Sequence, residues 1–212
     1  MADELVGGAY LPGRNYTRTG AVDTGGSYNN AILIGTPNIN VLKSAVSTST
    51  VSAGYAADTY LAGSAIAMPT GGFTVGARYG CWFDMVKTAA GTAAFTVTVR
   101  IGTAGTTSDA SILSFAFGAG TAAADTGTFE VVCHFRTVGS GTNAVLVGTC
   151  WCSHALAVTG LISTGASGAG QITSVSSGFD STPAGSIIGV SVNGGASFSG
   201  TNTIVESELR GY

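Results

Sequence analysis

The feature that most constrains this chain is a strict two-residue alternation that recurs between Gly-rich intervals. Tyr79, Cys81, Phe83 and Met85 fall on one side of residues 77–88. Phe95, Val97, Val99 and Ile101 alternate with Thr96, Thr98 and Arg100, and Phe129, Val131, Cys133 and Phe135 alternate with Glu130, His134 and Arg136. Successive side chains of a strand point to opposite faces, so each run describes a strand with one face buried. Further strands are expected at 60–68, 111–117, 143–156, 171–177, 185–193 and 201–209. The intervals, such as those starting at Thr88, Gly102, Gly118 and Val138, are rich in Gly with Asp or Asn, which suit turns. No stretch has a helix-length 3.6-residue period. The pattern predicts an all-β protein, an antiparallel β-sandwich over residues 59–212, with a jelly roll as the preferred topology and an immunoglobulin-like sandwich as the alternative.

Residues 1–58 read differently. Their apolar clusters, Leu5-Val6, Ala31-Ile32-Leu33-Ile34 and Val41-Leu42, are short and separated by turn-rich sequence. Too little apolar surface is available there to offset the backbone entropy of ordering. The segment is expected to be an extended N-terminal arm that anchors on a host surface or a neighbouring subunit. The alternative is that it forms the first strands of the same domain.

Composition removes several classes of function. Charged residues make up 9% of the chain, against about 25% in an average domain, and the formal net charge is −3. The only lysines are Lys43 and Lys87, which argues against a nucleic-acid partner. No apolar run is long enough for a membrane-spanning helix. The acidic start, Met1-Ala2-Asp3-Glu4, predicts no signal peptide and synthesis in a cytoplasm.

Candidate chemistry is sparse. Cys81 and Cys133 are in phase with large apolar residues, and Cys150 and Cys152 share a strand face; all four are expected to be buried free thiols. Cys150, Cys152 and His154 share one face and invite a zinc reading. Their spacing matches no zinc-finger pattern, however, and Cys133 and His134 point oppositely. Neither Ser140 nor Ser167 sits in a nucleophile elbow, and the Gly102–Thr107 loop lacks the Lys of a phosphate-binding loop. Glu206 and Glu208 share a strand face and read as solvated rather than as a glycosidase pair. The sequon at Asn15 carries weight only in a secreted eukaryotic protein. No catalytic, cofactor-binding or metal-binding residue is therefore assigned, no cofactor is expected, and the protein is read as not an enzyme. Trp82 and Trp151 are out of phase with their apolar neighbours; each is either an outer-face residue, at a subunit contact or a sugar platform, or a core Trp of a doubly buried sheet.

Several segments resemble a domain that recurs in structural proteins of tailed bacteriophages: Thr59–Ser64, Lys87–Ala93, Val99–Asp109, Phe117–Gly127 and Gly185–Ala196. The resemblance covers most of residues 59–212 and none of residues 1–58. It implies a virion protein with a jelly-roll-like domain, of the head decoration (cement) or head-fibre type, that stabilises the head shell. The implied partner is the major capsid protein, with a homo-oligomer, a trimer, as the expected assembly. The alternative it leaves is a tail or fibre protein that contributes to host-surface recognition with tail proteins as partners.

Overall fold

The alternating runs become strands of two antiparallel sheets packed as a sandwich in the computed structural model. It describes residues 40–47, 52–69, 71–88, 90–156, 159–163 and 169–211, and only the backbone for 40–47, 52–53 and 169. Among the described residues there is no helix. The strands are β1 (Asn40–Ser47), β2 (Ser52–Ala53), β3 (Thr59–Tyr60), β4 (Ile66–Ala67), β5 (Arg78–Lys87), β6 (Ala94–Gly102), β7 (Ala110–Ala119), β8 (Asp125–Thr137), β9 (Val145–His154), β10 (Ala169–Val175), β11 (Ile187–Asn193), β12 (Gly200–Asn202) and β13 (Val205–Gly211). The large sheet runs β10-β9-β8-β5-β12-β2, with β13 pairing both β5 and β1. The small sheet runs β3-β11-β6-β7, with β4 also on β11.

The connectivity is that of a jelly roll. Its pairs are nested. β6 and β7 form the innermost hairpin, β5 pairs β8 around it, β3 and β4 pair β11, and β1 and β2 pair β13 and β12 outermost. The pairs alternate between the sheets, as when one long antiparallel ribbon folds over on itself. The hairpin β9–β10 is added between β8 and β11 and widens the large sheet.

The first strands of the roll come from before residue 59. β1 and β2 lie within the segment expected to be an arm, Val41-Leu42 falls in β1, and Tyr55 is 2% exposed in the core. The clusters at Leu5-Val6 and Ala31–Ile34 lie outside the described residues.

The core is the sum of the inward positions. All twelve apolar residues of the three alternating runs are buried, from Tyr79 to Phe135. Phe129 on β8 sits at the centre of the interface. Its ring centroid lies 5.0 Å from Phe83 across the same sheet, and 4.8 Å from Phe95 and 5.7 Å from Phe117 on the facing sheet. Stacked and edge-on contacts at these spacings add to the burial energy.

Two expected strands are broken, each for a local reason. Residues 60–68 turn at Leu61–Ser64: the Ser64 hydroxyl donates to the Leu61 carbonyl at 2.7 Å and accepts from the Val190 N–H at 3.0 Å, while Gly63 takes φ 91°. Residues 201–209 jog between β12 and β13, where the Asp84 carboxylate accepts the Thr203 and Ile204 N–H groups at 2.8 and 2.7 Å.

Candidate functional site

The outer face of the large sheet carries the densest set of chemically able side chains. Alternation on β5 turns Arg78, Gly80, Trp82 and Asp84 outward while Tyr79, Cys81, Phe83 and Met85 fill the core. The same alternation exposes Glu130 and His134 on β8, Trp151 on β9, Gln171 and Thr173 on β10, and Glu206 on β13. Antiparallel register then lines these residues up. Glu206 is opposite Trp82, Trp82 opposite Glu130, Glu130 opposite Trp151, and Trp151 opposite Gln171. One row across five strands therefore reads carboxylate, indole, carboxylate, indole, amide. Trp151 is 38% exposed and Trp82 is half-buried, so both belong to the outer face.

The next row, Glu208-Gly80-Val132-Thr149-Thr173, is low relief. Gly80 leaves a hollow of about 170 Å³ whose walls include Arg78, Trp82, Glu130, Glu206 and Glu208. A second hollow of about 160 Å³ lies beyond Val132, against His134, Thr149 and Trp151. Beyond these, Arg210, Arg78 and His134 form a basic row. Its charge is held locally. Glu208 accepts from Arg78 Nη1 at 2.7 Å and from Arg210 Nη2 at 2.9 Å. Desolvation, and then the adjacent Arg78 guanidinium, hold His134 below its ordinary pKa. Glu130 and Glu206 enter no ion pair or side-chain hydrogen bond among the described residues.

The candidate zinc set falls on the inner face and does not assemble there. Cys150 and Cys152 are buried, as are Cys81 and Cys133, and all four are free thiols. Burial pushes Cys81 up to about 12, against a partial lowering by its hydrogen bond with Tyr79. Burial, with the nearby Asp125 charge, pushes Cys152 to about 12. His154 is engaged elsewhere: its Nδ1 lies 2.6 Å from Asp125 Oδ2, and both side chains are fully buried. Among the described residues, no three His, Cys, Asp or Glu side chains gather at metal-binding range.

The Asp125 cluster is a residue set that sequence reading missed. Its Oδ2 accepts from His154 Nδ1 and from the Leu161 N–H at 2.9 Å. Its Oδ1 accepts the Thr126 N–H at 2.8 Å and the Leu156 N–H at 3.3 Å. Burial alone would raise this carboxyl, but the bonds from Leu161, His154 and Thr126 and the His154 charge outweigh it and hold Asp125 below the usual range. Lys87 points inward nearby and donates to the Thr121 and Ala123 carbonyls. Desolvation lowers its pKa, with Asp125 opposing. The only sequence signal was a lysine at an inward strand position. The cluster ties residues 121–126 to His154, Leu156, Gly160 and Leu161, which is a structural task.

The remaining candidates are dispersed. Ser140 lies in an exposed loop, and Ser167 and Asn15 lie outside the described residues. The Gly102–Thr107 loop spends its N–H groups on its own anion: Asp109 accepts from Ala104 at 3.0 Å and from Gly105 at 2.7 Å. No protein-family model matches the chain, and no curated protein or solved structure matches it either.

Proposed function

We propose that this chain is a structural protein of a tailed-phage virion, a head decoration or cement protein that binds the major capsid protein as a homotrimer and carries no catalytic role. The observation that supports this most is the jelly roll with its low-charge small sheet. Its accessible outward side chains are Ser111, Ser114 and Ala116 on β7, Thr96 on β6 and Asn193 on β11, while Thr98 and Ser191 are buried. Small uncharged side chains of this kind allow close approach of another protein surface with little desolvation of charge. The segment resemblance points the same way.

The test is copy number in purified particles by quantitative mass spectrometry, with light scattering of the free protein. Hundreds of copies per particle and a trimer in solution are expected. A handful of copies would move the chain to the second reading, a tail or fibre protein that meets the host surface, which the indole-carboxylate row of the large sheet favours. Absence from the particle would refute both.

A further inference from the structure

The large-sheet row does not fit a generic surface. Two tryptophans are held on alternate strands with an acceptor between them and an acceptor beyond each: Glu206, Trp82, Glu130, Trp151, Gln171. Strands are spaced about 4.8 Å apart, so the two indoles are anchored roughly 10 Å from one another along the row. Between and beside them Gly80 and Val132 keep the surface low and leave two hollows. The free polar groups are biased. Glu130 and Glu206 are acceptors without partners among the described residues, while Arg78 and Arg210 are both engaged by Glu208.

From this geometry we propose that the row is a binding site for an uncharged oligosaccharide of three or more pyranose units, laid across the strands. A pyranose presents an apolar C–H face and a rim of hydroxyl donors. The C–H faces of two alternate sugars rest on Trp82 and Trp151, the larger apolar surfaces of the row. Hydroxyls of the intervening sugar donate to Glu130, and those of the outer sugars donate to Glu206 and to the Gln171 amide oxygen. An anionic glycan is disfavoured by the two unpaired carboxylates. A lone cation would fill one indole-carboxylate step and leave the second unused, whereas a repeating ligand uses both. The site goes beyond the virion assignment and holds for a head or a tail position alike.

The experiment is a titration of the purified full-length protein with cellotetraose, maltotetraose and chitotetraose, read by tryptophan emission and calorimetry. Glucose, N-acetylglucosamine and tetralysine serve as comparison probes. At least one tetrasaccharide is expected to bind with a Kd of about 1 mM or tighter, and its monosaccharide about tenfold more weakly or worse. Trp151→Ala is expected to weaken binding by about tenfold, and Glu130→Gln by about fivefold. Both residues are on the outer face, and circular dichroism verifies that each variant keeps its sheet. No binding by any tetrasaccharide at about 10 mM overturns the proposal. So does binding that both variants leave unchanged, and so does tetralysine binding more tightly than every sugar. A negative titration leaves the copy-number test of the virion reading untouched.

Discussion

Replacing Asp125 by Asn tests the energetic reading of the buried cluster, because the change conserves shape and removes only charge and one acceptor. Each carboxylate oxygen accepts two bonds, His154 and Leu161 on Oδ2, Thr126 and Leu156 on Oδ1. An amide has one oxygen and one NH2 group, so either orientation turns two N–H donors toward another donor. His154 can shift its proton to Nε2 and offer Nδ1 as an acceptor. That only moves the problem, since Nε2 is buried with no partner among the described residues. Hydrogen bonds to a charged group contribute about 1.5–3 kcal/mol each. Two are lost, and relief of the carboxylate's desolvation offsets part of that loss, leaving a net cost of about 3 kcal/mol. For a chain of this size that corresponds to a fall in Tm of roughly 6–12 °C.

The same substitution has a pH signature. Asp125 has a native pKa below its unfolded value, so its stabilisation is fully present above about pH 4 and is lost as pH falls through the native pKa. The Asn variant has no such group. Thermal unfolding followed by circular dichroism at neutral pH and again near pH 2 is expected to show a wide gap between wild type and variant that narrows in acid. An Asp125→Asn protein that melts with the wild type at neutral pH would refute the hydrogen-bond accounting. A gap of constant size down to pH 2 would refute the linkage.

Other predictions follow from single features of the fold. Because burial holds Cys81 and Cys152 near pKa 12 and encloses all four thiols, native protein at neutral pH should resist a thiol reagent. After denaturation without reductant it should take up four equivalents, and any shortfall would indicate an unrecognised cross-link. Phe129→Ala removes the ring that Phe83, Phe95 and Phe117 pack against and should cost about 3–5 kcal/mol in denaturant unfolding; a loss under about 1 kcal/mol would contradict its central place. Deleting residues 1–58 removes β1, β2 and Tyr55 and should lower the melting temperature sharply, whereas deleting residues 1–39 keeps them and should leave a folded sandwich. Equal melting of the two truncations would mean that the outermost pair of the roll contributes nothing.

The parts of the fold legible in the sequence were those in which one residue decides its own side. Period two assigned the inward faces of β5, β6 and β8 residue by residue, because a one-position slip would send Phe83 or Phe129 to solvent. The same phase put Trp82 and Trp151 on the opposite side of their strands but left open whether that side met solvent or a second buried layer, which the structure resolves as the outer face. The strand breaks at Leu61–Ser64 and Thr203–Ile204 were hidden because side chains far away in sequence cause them: Ser64 meets Val190, and Asp84 meets Ile204. The Asp125–His154 pair was hidden for the same reason. Nothing local to either residue distinguishes a buried Asp–His hydrogen bond from a turn Asp and a strand-end His.

Strand-level reading also explains why the candidate site was half visible. Each member of the Glu206-Trp82-Glu130-Trp151-Gln171 row takes its side from the alternation along its own strand, but a row is a property of register between strands. That register is fixed on the opposite face. Phe83 opposes Phe129 across β5 and β8. Gly148 faces Cys133 on the next strand, where a Cβ would come within 2.7 Å of the sulfur. The packed inner face therefore determines which outer residues become neighbours. A slip of two residues between β8 and β9 would keep every apolar side chain inside and yet part Trp151 from Glu130. It would also drive a side chain into the space that Gly148 leaves for Cys133. The core thus sets the alignment on which the outer row depends, and a core variant that shifts this register should disturb the outer face before it unfolds the sandwich.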